Sequence, residues 1–85
     1  MSLIESIDAA LAAATSQDAR PFRLELQSDE IETLRAAGAL KEAPERWATA
    51  VGGYKTVPVY SATRDSELMA QPSASSTGLH IAIKT

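Results

Sequence analysis

Histidine occurs once in these 85 residues, at position 80, and cysteine does not occur at all. Those two counts bound the chemistry open to the chain. A nucleophilic mechanism would need His80 as its base, beside a hydroxyl and a carboxylate. Zinc sites usually combine several His or Cys ligands, so one imidazole points to no metal. His80 falls on the polar side of the alternating run from Leu79 to Lys84, where a solvent-facing strand histidine is the simpler reading. Paired carboxylates are the second route, through Glu5 with Asp8 or the crowded Asp29, Glu30 and Glu32. Glycosidase-type chemistry needs two acids facing each other across a cleft, and a domain this small has little material left to build one. Asp29 and Glu30 read instead as first-turn helix residues favoured by the helix dipole. Gly52-Gly53 is not followed directly by the Lys-Ser or Lys-Thr of a phosphate-binding loop, since Tyr54 stands before Lys55-Thr56, and the longer dinucleotide pattern is absent. The expectation is a non-enzymatic protein with no catalytic residue, no cofactor and no metal.

Two features suit a binding surface instead. Residues 25–45 hold six acids and two bases, a local charge of −4, whereas residues 46–85 carry +2. Asp29, Glu30, Glu32, Glu42 and Glu45 therefore form a candidate acidic surface. Such a patch can dock on a basic partner, because long-range attraction speeds encounter and sets specificity. The second feature is aromatic. Trp47, Tyr54 and Tyr60 lie close in sequence, and such residues are favoured at interface centres. Counted through one continuous strand, the tyrosines fall opposite Val57 and Val59. Placed beside the acidic helix, they would complete a recognition face.

The elements that must carry these residues follow from periodicity. Residues 2–16 read as a helix, with Ser2 and Glu5 spaced as a capping box and Ile4, Ile7, Leu11 and Ala14 forming one apolar stripe. Phe22, Leu24 and Leu26 alternate with Arg23, Glu25 and Gln27, which predicts a strand covering a core on one side. Ser28 is placed to cap a second helix, with Ile31 and Leu34 inward and Gly38 as its stop. Residues 39–53 suit a short helix around Pro44 and Trp47. Tyr54 to Ala62 is strand-like, and Pro58 within it predicts a sheet edge or a bulge, since proline donates no ladder bond. Glu67 to Ala70 reads equally as a short strand or one helical turn. Residues 71–78 have the composition of a flexible loop, and the final strand follows. One domain spanning residues 1–85 is expected. Its class is α+β, a small, mainly antiparallel sheet of three to four strands with two to three helices packed on one face. The expected core is Ile4, Ile7, Leu11, Phe22, Leu24, Leu26, Ile31, Leu34, Val57, Val59, Leu79, Ile81 and Ile83.

The hydrophobic share of 45% and the charged share of 22% suit a folded domain rather than a disordered tail or a membrane protein. The apolar stretch from Leu3 to Ala14 is interrupted by Glu5 and Asp8 and follows no basic residue. It reads as neither a secretory signal nor a membrane span, and a cytoplasmic location is the expectation. A net charge of −3 disfavours direct nucleic-acid binding, which draws on an excess of Lys and Arg. No stretch carries a family signature. As a class, a short, acidic, cysteine-free α+β chain resembles phage-type inhibitor proteins, anti-CRISPR and nucleic-acid-mimicking proteins among them. That resemblance implies a module that docks its acidic surface on the basic surface of a larger, nucleic-acid-handling protein. The alternative is an assembly subunit, a homodimer for instance, that pairs through an edge strand or the alanine-rich first helix.

Overall fold

In the computed structural model, residues 2–44, 49–74 and 76–83 are described. The first helix, α1, spans Leu3–Ser16. Its start is the expected reciprocal cap: the Glu5 N–H donates to Ser2 Oγ at 3.2 Å, and the Ser2 N–H donates to Glu5 Oε1 at 3.3 Å. Ile7, Ala10 and Ala14 form its buried stripe, while Ile4 and Leu11 flank the core only partly covered. The chain reverses through Gln17 and Asp18, and Asp18 takes a positive φ of 54°. Aspartate tolerates that left-handed conformation better than most residues.

Strand β1 runs Ala19–Leu26 and helix α2 Ser28–Ala36, followed by β2 (Gly52–Tyr54), β3 (Val57–Ser61), β4 (Glu67–Pro72) and β5 (Leu79–Ala82). The fold is α+β, as the sequence suggests, but the sheet has five strands and is mixed, in the order β2-β3-β1-β4-β5. β1 and β3 run parallel, and the other three pairings are antiparallel. Parallel neighbours need a crossover, which α2 and the segment after it supply. α1 lies across β1, β4 and β5 and touches α2. Both helices feed one core with Leu24, Leu26, Val59 and Leu68, so one face of the sheet is covered.

Four expectations are corrected. Phe22 is not in the core but 48% exposed. The register against β4 slips between Pro21 and Arg23, leaving Phe22 as an extra residue. A bulge turns two successive side chains to the same side, so Phe22 and Arg23 both face away from the helices. Pro58 is not in an edge strand, because β3 lies between β2 and β1. Its missing N–H falls where the ladder of β3 with β1 ends, at Leu24 and Val59. Glu67–Pro72 is a strand, and Leu68 and Ala70 are fully buried members of the core. The following loop therefore begins at Ser73 rather than at residue 71, and it is tethered, because the Ser73 N–H donates to the Asp18 carbonyl at 3.1 Å. Finally, the residue preceding the first turn of α2 is Gln27, not Ser28; its N–H donates to Glu30 Oε1 at 3.0 Å. Glu45 and Trp47, the centre of the expected short helix, lie outside the described residues; its described flank, residues 39–44, is not helical.

The two sheet edges differ. Beyond β2, Lys41 and Gly53 exchange two backbone hydrogen bonds of 2.8 Å, so that edge is covered. Gly52 permits this approach, since a Cβ there would sit 2.8 Å from the Leu40 side chain and 2.9 Å from the Lys41 carbonyl oxygen. β5 forms the other edge, with Leu79 and Ile81 partly buried and His80 and Ala82 exposed.

Candidate binding face

With both helices on one side, the other side of the sheet is left uncovered among the described residues, and cross-strand register fixes which side chains share it. Arg23, Met69 and His80 form one row, and Tyr60, Glu25, Glu67 and Ala82 the next. Arg20 and Gln71 form a third. Directly opposed side chains of an antiparallel pair lie on one face. The facing pair Glu25 and Glu67 would repel, yet each carboxylate has its own partner. Arg23 Nε donates to Glu25 Oε2 at 2.9 Å, and His80 Nδ1 lies 3.1 Å from Glu67 Oε1. The Arg23 guanidinium also lies over the Tyr60 ring, 3.8 Å from its centroid.

Phe22 stands outside these internal pairings, because the bulge gives it no cross-strand partner. It borders an open groove of about 580 Å³ lined by Arg20, Pro21, Phe22, Thr56, Pro58 and Gln71. The groove lies where β1 and β3 are not hydrogen-bonded. A second groove, at the opposite end of β1, is lined by Arg23, Glu25, Ser61, Thr63, Arg64, Asp65 and Glu67. Its walls consist largely of charges, several already engaged with one another.

The expected acidic surface is only partly assembled. Asp29 is exposed on the first turn of α2, and Glu42 is exposed beyond it. Glu32 is exposed but paired with Arg35 on its own helix. Glu30 is half-buried and structural: its Oε1 accepts from the Gln27 N–H and from the Ser66 hydroxyl. Reversing Glu30 to lysine would therefore disturb the fold and not merely the surface.

The tyrosines do not meet the acidic helix. Tyr54 is 4% exposed and faces the core. A two-residue turn, Lys55-Thr56, separates it from Val57, its direct cross-strand partner, so both point the same way. Lys55 has a positive φ of 56°, the backbone sense that lets so short a loop follow the strand twist. The Tyr54 hydroxyl donates to Asp8 Oδ1 at 2.6 Å, and Lys55 Nζ donates to the same oxygen at 3.2 Å. The hydrogen bond from Tyr54, with Lys55 in support, holds the Asp8 carboxyl below the usual range against a smaller desolvation cost. Burial first, and then the Asp8 bond and charge, pushes the Tyr54 hydroxyl up to about 12. This cluster ties α1 to the β2–β3 hairpin, the hairpin that carries one wall of the Phe22 groove. Tyr60 does face the open side, half-buried under Arg23.

His80 has its carboxylate neighbour but sits exposed on a sheet surface rather than in an enclosed hollow. Among the described residues, no group of three or more His, Asp or Glu is placed to hold a metal ion. Within the same residues, no helix is long and apolar enough to cross a membrane. No family model matches the chain, and neither a curated protein nor a solved structure matches it.

Proposed function

We propose that the chain is a non-enzymatic protein-binding module that docks through the uncovered face of its sheet, with Phe22 as the anchor. The observation that carries this reading is the exposure of a large aromatic side chain on a sheet face that no helix among the described residues covers. Water is excluded from such a ring only when something else covers it, and that gain is a main source of affinity at interfaces. The neighbouring Pro58, Tyr60 and Met69 extend the apolar surface, and paired charges rim it, the common anatomy of a protein interface. This face supports docking better than the acids of α2, since Glu30 and Glu32 are engaged within the fold. Asp29 and Glu42 remain free to steer a basic partner toward the module. Steric cover of a larger protein, as in phage-type inhibitors such as anti-CRISPR proteins, is one form this function takes. A cytoplasmic setting belongs to the same proposal and suits a chain without cysteine.

The test compares proteins captured from the host lysate by the unaltered chain, by Phe22→Ala and by Asp29→Lys/Glu32→Lys. A protein retained by the unaltered chain and by the α2 variant, but lost with Phe22→Ala, supports the open face. Loss with the α2 variant alone moves the interface to the acidic helix and refutes this reading.

A second reading rests on a separate observation. β5 has β4 on one side and no strand among the described residues on the other, unlike β2, whose outer edge Lys41 covers. Such an edge can pair with a second copy and extend the sheet. Light scattering at two salt concentrations tests it: a salt-insensitive dimer supports pairing through β5, and a monomer at both refutes it.

A further inference from the structure

The groove beside Phe22 exists because the parallel ladder stops early, and the sequence says why. The Ala62 N–H donates to the Leu26 carbonyl at 2.7 Å. In a parallel pair the rungs repeat every two residues, so stepping back twice along both strands calls for residue 58 to donate to the Phe22 carbonyl. Residue 58 is proline and has no N–H to give. Pro21, in the facing strand, is a second residue without a donor. Past Leu24 and Val59 the two strands therefore part, and the bulge at Phe22 widens the gap. What results is an open groove in which Pro21, Phe22 and Pro58 lie beside Thr56, Gln71 and a cation.

That cation is Arg20. The other charged groups on the strands of this face have partners, Arg23 with Glu25 and His80 with Glu67. Arg20 makes no ion pair among the described residues, although it lines the groove. A guanidinium beside an apolar cleft complements a carboxylate carried next to an apolar side chain, and its planar fork can hold both carboxylate oxygens. Stacked nucleic-acid bases fit less well, because the Arg23 guanidinium already covers a face of Tyr60 and leaves Phe22 as the one free ring on this face among the described residues.

Resting on the open-face reading above, we infer that this cleft receives a short acidic and apolar segment of the partner protein. An Asp or Glu of the segment sits on Arg20, and a neighbouring large apolar side chain sits between Phe22 and Pro58.

A displayed library of random dodecapeptides, selected on the unaltered chain, tests the inference. The expected result is enrichment of an Asp or Glu within two positions of Leu, Ile, Phe or Met. Synthetic peptides from that selection should bind roughly tenfold or more weakly to Arg20→Glu and to Phe22→Ala. Both residues are exposed, so circular dichroism should show the two variants folded. Pro58→Val restores the missing donor, lets the strands close, and should weaken the same peptides comparably. Peptides that depend on Phe22 but carry no acid, and bind Arg20→Glu unchanged, overturn the inference while leaving the open-face reading intact. Peptides indifferent to Phe22, no enrichment at all, or tighter binding of oligo(dT) than of any selected peptide overturn both.

Discussion

Tyr54→Phe removes one oxygen from the bond that ties α1 to the β2–β3 hairpin, and the effect should change with pH in a defined way. The hydroxyl donates to Asp8 Oδ1 at 2.6 Å from a side chain that is 4% exposed. A hydrogen bond to a charged group contributes about 1.5–3 kcal/mol. Asp8 is itself half-exposed and keeps Lys55, so water replaces part of what is lost. A destabilisation of about 1–2 kcal/mol at neutral pH is therefore expected, roughly 5–15 °C in Tm for a domain of this size. The Tyr54 hydroxyl is raised from 10.0 to about 12 in the folded chain. A raised value favours the neutral hydroxyl, so its stabilisation is complete below about pH 10 and is lost as pH climbs toward 12. At about 1.4 kcal/mol for each pH unit, that loss amounts to about 3 kcal/mol at most. Phenylalanine cannot ionise and escapes it. The Asp8 carboxyl is lowered, so its share is present above the ordinary carboxylate range and disappears as pH falls below it. The stability gap between the two proteins should thus be widest near neutrality, narrow as pH falls below the carboxylate range, and close and then reverse as pH climbs toward 12. Urea denaturation of both proteins at acidic, neutral and alkaline pH measures it. A gap that is absent, or that stays constant into the alkaline range, refutes the reasoning.

Three further outcomes follow from packing and capping. Leu68→Ala empties a fully buried site in a central strand and should cost about 3 kcal/mol in urea denaturation, with the fold otherwise retained. Gly52→Ala places a methyl group 2.8 Å from Leu40 and 2.9 Å from the Lys41 carbonyl; a loss of about 1–3 kcal/mol, with faster amide exchange at Lys41 and Gly53, is expected. Glu30→Ala leaves the Gln27 N–H and the Ser66 hydroxyl without their acceptor and should cost about 1–2 kcal/mol, whereas Asp29→Ala on the same turn should cost little.

What could be read from the sequence was what depends on near neighbours. The capping box and apolar stripe of α1, the buried pair Ile31 and Leu34, and the alternation of β5 are local patterns, and all are present. The reading failed where parity was interrupted. A one-residue bulge moved Phe22 from the core face to the open face, and a two-residue turn moved Tyr54 in the other direction. Each event reverses every assignment counted across it, since strand side chains repeat with period two. Pro21 was the available signal for the first interruption, and Lys55-Thr56 held no glycine or asparagine to announce the second. Glu67–Pro72 carries few β-branched residues, so its central place rests on long-range pairing with β1 and β5 rather than on its own composition. The candidate site suffered most, because it depends on how β1 and β3 part company. Among the described residues, Tyr60 was the one expected aromatic found on the open face.

Backbone hydrogen–deuterium exchange, with and without a selected acidic peptide, addresses the docking claim most directly. Protection confined to residues 20–23 and 56–60 is the outcome required if the partner enters between β1 and β3. Protection confined to α2, or to the free edge of β5, would contradict it.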